Sequence, residues 1–225
     1  MGALFPLLTL LAFLAGAIAF HSNERKRHRI TLEDVARRHK GVVTGGTLWQ
    51  RASMFFEVDG LPARLTYQPG NQHVPPRLAI RFDWPMRGRL RVIPQGVGTK
   101  LRRLFGAQDI VIGDPELDGV LVFQGGPDEW VRGLFGAPLR ERLKRLIRMG
   151  IGSERHFNVE GGPTGLTVRV GADVLENSGR LQHLISEIRR FLRALRECEG
   201  RRIAGRESPV DLGHHRVRLL PGQHV

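Results

Sequence analysis

The chain has 225 residues, 41% of them hydrophobic, which is enough for one good core or two small ones with appendages; one main domain is the simplest count. Lys and Arg total 35 against 22 Asp and Glu, a formal net charge of +13, so a partner drawn by long-range attraction is anionic: phospholipid, nucleic acid or an acidic protein. A single cysteine, Cys198, excludes an intramolecular disulfide and any multi-cysteine zinc site.

From Gly2 to Phe20 the chain runs 19 residues without a charge, close to the roughly 20 that span a bilayer's hydrocarbon core as a helix. Arg25, Lys26, Arg27 and Arg29 follow at once, and no Lys or Arg precedes the run. The positive-inside rule then predicts a single-pass anchor over residues 1–20 in the inner (plasma) membrane, with the body of the protein cytoplasmic. The four cations are the expected contacts for anionic lipid headgroups. The competing reading is an exported, soluble domain released by a signal peptidase, for which Ala17-Ile18-Ala19 offers a small-x-small site. Against it stand the missing basic n-region and the cationic cluster beyond the run, which resists export.

Within the basic segment 21–40, Thr31–His39 reads as a short separate helix with Thr31 as N-cap, Glu33 and Asp34 in its first turn and Gly41 after its end; it is expected to be a lead-in rather than a core element. From Val42 to Pro94 the period changes to two, which predicts an antiparallel β-meander: Val42–Trp49, Met54–Val58, Ala63–Tyr67, Leu78–Trp84 and Arg89–Ile93, with turns at Asp59-Gly60 and Pro69-Gly70-Asn71. In Arg77–Trp84 the alternation of Leu78, Ile80 and Phe82 with Ala79, Arg81 and Asp83 gives one core face and one wet face. A short basic helix follows QGVGTK, then strands around Ile110–Ile112 and Val120–Gln124. A two-part helix broken at Pro138 comes next, then a β-hairpin pairing Phe157–Glu160 with Leu166–Val170 across Gly161-Gly162-Pro163. Gly179–Cys198 is an amphipathic helix with an apolar stripe and an arginine-rich back. Residues 41–198 are thus expected to form one α+β domain, and 199–225 a flexible basic tail.

The most enzyme-like local feature is QDIVIGDPELDG, where Asp114, Glu116 and Asp118 alternate. Extended backbone would put the three on one side as oxygen ligands for a hard cation, and hence for a metal-assisted hydrolase. Pro115 works against that geometry, and the favoured reading is a turn in which Asp114 and Asp118 accept backbone amides. Gly98-Thr99-Lys100 has the wrong order and spacing for a phosphate-binding Walker loop. His214, His215 and His224 sit in the tail, His156 stands alone near Glu154 and Glu160, and Cys198 has no histidine or second cysteine beside it. No catalytic or cofactor-binding set assembles from the sequence. Nucleic acid is disfavoured as the anion, since Tyr67 and the scattered Phe and Trp fall at apolar-patterned positions and form no stacking platform.

The segment Gly113-Asp114-Pro115-Glu116-Leu117-Asp118, leading into a strand and the two-part helix with PLRERLKRL, resembles an uncharacterised bacterial family of membrane-anchored α+β proteins with a Gly-Asp-Pro-x-Phe-Asp motif. The resemblance spans roughly Leu101 to Cys198, with Leu117 where that family has Phe. It implies a fold boundary and no activity. The sequence therefore predicts a membrane-anchored, non-catalytic interaction or structural domain whose partners are the anionic bilayer and a further protein.

Overall fold

In the computed structural model the described residues are 4–46, 50–72, 74–95, 109–149 and 157–204; the side chains of 4–8, 10–12, 14, 17, 18, 20, 21 and 201–204 lie outside the described set. One uninterrupted helix, α1, runs over Leu4–Arg38. Eight strands follow in one antiparallel sheet: β1 (Val42–Thr44), β2 (Ser53–Val58), β3 (Leu61–Gln68), β4 (Arg77–Phe82), β5 (Arg89–Pro94), β6 (Leu121–Gly126), β7 (Asn158–Gly162) and β8 (Gly165–Gly171). The helices between and after them are α2 (Pro115–Val120), α3 (Asp128–Leu134), α4 (Ala137–Arg148) and α5 (Ser178–Ala204), with a 3-10 turn at Ala172–Glu176. The α+β class expected from the sequence is the class observed.

The meander holds from β1 to β4 and then stops. The strand order is β1-β2-β3-β4-β8-β7-β5-β6, so the β7–β8 hairpin inserts between β4 and β5, which the sequence reading had as neighbours. Local alternation marks a strand's faces but not its partner, and the two-residue turn that pairs β2 with β3 has no counterpart between β4 and β5. That turn is Asp59-Gly60, both at positive φ (50 and 78), the hairpin geometry that matches strand twist. β1 is only three residues long because Gly45 and Gly46, at φ 76 and 86, turn the chain away. Residues 110–112, expected as a strand, are not one, although the Ile110 amide donates to the Phe123 carbonyl at 2.8 Å.

One face of the sheet is apolar: Met54, Leu65, Ile80, Val168, Val159, Val92 and Phe123 are all at most 1% exposed. The helices cover it. In α5, Leu181, Leu184, Ile185, Ile188, Leu192 and Leu195 form the buried stripe, and in α4 Leu139, Leu143 and Leu146 do the same at three- and four-residue steps. α5 continues past Cys198 to Ala204, so residues 199–204, expected to belong to a flexible tail, are helical, and the rest of that segment lies outside the described residues. Buried Glu199 accepts the Arg87 amide at 3.1 Å and ties this last stretch to the loop between β4 and β5.

The C-terminal turns of α1 belong to the same core, which corrects the expectation of a separate lead-in helix. Nothing in HSNERKRHRI, between Phe20 and Thr31, breaks a helix, since it holds neither glycine nor proline. Leu32 and Val35 are 0% exposed, and they lie with buried Ala36 on one face against β2 and α5. Arg38 Nη1 donates to Gln182 Oε1 at 2.9 Å, joining this end of α1 to α5. Gly41 is fixed by close approach: a Cβ there would lie 2.7 Å from the Phe55 carbonyl oxygen. Among the described residues no helix is long and apolar enough to cross a membrane.

Candidate functional site

The acidic segment folds into a capped helical turn docked on α4. Asp114, with extended backbone, is the N-cap of α2, its carboxylate accepting the Leu117 amide at 3.3 Å, and Pro115 occupies the first helical turn where its missing N–H costs nothing. Asp118 turns back on the chain before it. Its two oxygens accept the amides of Ile112 at 3.1 Å and of Gly113 and Asp114 at 3.0 Å each. Gly113, at φ 76, supplies the left-handed residue that lets three successive amides converge. Leu117, 1% exposed, anchors the turn in the core.

The other two carboxylates face a ladder of cations on α4. Lys144 Nζ lies 2.9 Å from Asp114 Oδ2 and 3.2 Å from Glu116 Oε2, and Arg148 Nη2 lies 2.6 Å from Glu116 Oε1. One turn earlier, Arg140 donates to the carbonyls of Phe135 (2.6 Å), Ile112 (2.6 Å) and Gly113 (3.2 Å). Arg140, Lys144 and Arg148 are spaced by four and so share a face of α4. That spacing was legible in PLRERLKRLIR, but nothing local said that its partner was an acidic turn more than twenty residues earlier.

The electrostatics follow from the geometry. Burial favours the neutral Asp114 carboxyl, but the Lys144 ammonium and the Leu117 and Glu116 amides outweigh it and hold Asp114 below the ordinary aspartate value. Arg148 first, then Lys144, hold Glu116 below the glutamate value, and the same pairs, Asp114 foremost, raise Lys144. The three acids that alternate in sequence therefore divide between two tasks and do not converge on one point. Among the described residues, no group of three or more His, Cys, Asp or Glu is placed to hold a metal ion. Asp114 and Glu116, each with a cation or an amide on both carboxylate oxygens, and Asp118, with amides on both, are held in place by these contacts: using one as a general base breaks the contact that positions it.

The second candidate is the cationic stretch of α1. Arg25, Lys26, Arg27 and Arg29 are all exposed. At about 100° per residue they spread around the helix as a collar rather than a stripe. Arg29 Nε pairs with Glu33 at 2.7 Å, and among the described residues Lys26 and Arg27 have no ion-pair partner. Within the collar, where α1 enters the domain, His28 packs its ring 4.9 Å from that of Tyr67. Two clefts flank it. One of about 180 Å³ lies beside Arg25, Arg51 and Tyr67; the other, of about 710 Å³, is lined by Arg27, Ile30, Leu175 and Glu176. Burial lowers the His28 pKa, against the smaller opposing pull of Glu24 and Glu176.

Lys100, Glu154, His156, His214, His215 and His224 lie outside the described residues. Cys198 is half-buried against the core. No protein family, curated protein or solved structure matches this chain.

Proposed function

We propose that this chain is a single-pass membrane protein whose α+β domain is a non-catalytic interaction module held against the cytoplasmic face of the bilayer. The observation that carries the reading is the continuity of α1. A helix that begins with the uncharged run ending at Phe20 continues without a break to Leu32, which is fully buried in the domain. Twelve residues of helix separate the two points, or about 18 Å at 1.5 Å per residue. A helix that is both anchor and core element holds the domain at a fixed height and orientation, as a flexible linker cannot.

The collar lies within that span. From Phe20 the cations at Arg25 to Arg29 stand about 8–14 Å along the axis, within reach of an anionic headgroup layer, where each contributes on the order of 1 kcal/mol. The engagement of Asp114 and Glu116 in docking α2 onto α4, and of Asp118 in gathering the amides of residues 112–114, supports a structural role for the acidic segment over a hydrolytic one.

Vesicle flotation tests the collar. A chain truncated to begin at Asn23 is expected to float with phosphatidylserine vesicles, to ignore phosphatidylcholine, and to be released as salt rises through the screening range. Changing Arg25, Lys26, Arg27 and Arg29 together to Gln removes most of that binding. Equal flotation of the quadruple variant and the parent would defeat the lipid-contact reading.

A further inference from the structure

On the face of the sheet turned away from the helices, Glu160 pairs with Arg169 and Arg91, but the β3–β4 part carries two arginines side by side where a merely solvated face would carry a paired charge. Arg64 on β3 is directly opposite Arg81 on β4, and neither residue has a carboxylate across the ladder from it. Like charges so placed repel, and side chains directly opposite in a ladder stand about 4.5–5.5 Å apart at Cβ. Arg64 has no acidic partner among the described residues; its guanidinium lies over the Phe55 ring, 5.1 Å from the centroid. Arg81 reaches only Asp83, at 3.9 Å, and the Thr164 carbonyl, at 3.1 Å. At the other end of β4, Arg77 has no partner among the described residues, and its Nε is buried and unpaired. The face is open: the Arg81 side chain is 58% exposed and Phe55 42%.

We infer that this arginine-bearing sheet face is a docking surface for an acidic segment of a partner protein. Guanidinium forks match carboxylates in bidentate geometry, and the two-strand pair presents two of them side by side. Two observations favour protein over nucleic acid. Fixed acids interrupt the cationic track, with Glu160 between Arg169 at 2.6 Å and Arg91 at 3.5 Å, so a continuous phosphate chain meets repulsion where a protein can offer its own cation. The apolar component sits at the edge: Phe55 is opposite Val42, which is 62% exposed, and Arg64 already lies over the Phe55 ring, so the pair offers apolar contact rather than a platform for bases. The inference deepens the interaction-domain reading and does not depend on the anchor.

The test uses the full-length chain in neutral detergent and a labelled poly-L-glutamate probe read by fluorescence anisotropy. Arg64→Gln with Arg81→Gln is expected to weaken probe binding about tenfold or more, the loss of one or two charge-assisted contacts. Arg132→Gln with Arg145→Gln, the same change in net charge among exposed residues elsewhere, should alter it little. Equal losses in the two doubles mean that only the net charge binds, and the proposal falls. It falls too if a single-stranded oligonucleotide of matched charge binds more tightly than poly-glutamate and loses affinity in the sheet double. Arg64→Gln alone relieves the cross-strand repulsion, so its melting temperature should be unchanged or higher; a clear drop makes Arg64 a structural residue and overturns the assignment. Collar and anchor are read separately by vesicle flotation and membrane extraction, which the sheet double leaves unchanged if only the docking surface has failed.

Discussion

Replacing Asp118 with Ala removes the acceptor that gathers the amides of Ile112, Gly113 and Asp114. Ile112 is 4% exposed, so its amide has poor access to water, and leaving such a donor unpaired costs about 1–3 kcal/mol. The Gly113 and Asp114 amides are nearer solvent; each gives up about 0.5–1 kcal/mol on exchanging the carboxylate for water. The sum is about 3 kcal/mol, equivalent to a fall of about 6–12 °C in melting temperature for a protein of this size. Asp118→Asn keeps one acceptor oxygen and should lose about half as much. Chemical denaturation of both variants and the parent, with and without Mg²⁺, Mn²⁺ or Ca²⁺, measures this directly. A loss below about 0.5 kcal/mol in Asp118→Ala, the range of ordinary surface substitutions, would refute the fastening role. So would a metal-dependent rise in the parent's melting temperature that disappears in the variant.

Leu32→Ala should cost about 2–5 kcal/mol, the range for emptying a fully buried leucine site, because α1 is part of the core; a loss under about 1 kcal/mol in thermal melts would detach it from the domain. Burial lowers the pKa of His28 and of His39 below 6.5, so the unfolded chain binds more protons in the window beneath that value. Their contribution is whole above about 6.5 and is lost as pH falls through their folded pKa values; His28→Gln should flatten the slope of stability against pH there, and an unchanged slope would count against the burial argument. Asp114 and Glu116, held below 3.8 and 4.5, contribute stability above those values that is lost as pH falls through their lower folded ones, so Lys144→Met, which strips their shared cation, should raise the acid midpoint of unfolding.

Local chemistry made some of this legible. The alternation in Arg77–Trp84 identified the core face of β4, Leu78, Ile80 and Phe82, but Ala79, expected on the wet face with Arg81, is 6% exposed and the strand ends at Phe82. Pro138 located the break between α3 and α4. The stripe from Leu181 to Leu195 identified the face of α5 that enters the core. Asp114 and Asp118 were readable as acceptors of turn amides because proline and glycine flank them. What was not readable depends on partners distant in sequence. β8 lies beside β4 although more than eighty residues separate them, and Lys144 meets Asp114 across thirty residues. The extent of α1 was missed for a different reason: Thr31 with Glu33 looks like a helix start, but a residue that can cap does so only where the preceding chain stops being helical, and that chain does not stop. The arginine pair on the sheet face was equally hidden, since Arg64 and Arg81 become neighbours only through the register of β3 against β4.

Alkaline carbonate extraction of membranes bearing the full-length chain, with the N-terminus of the recovered protein sequenced, tests most directly whether α1 is at once anchor and core element. The account predicts that the protein stays in the pellet with the residues before Phe20 still attached, and that Leu32→Ala lowers the stability of that pelleted protein without releasing it. Release of intact chain into the wash, or a mature N-terminus at Phe20 from cleavage after Ala19, would contradict it.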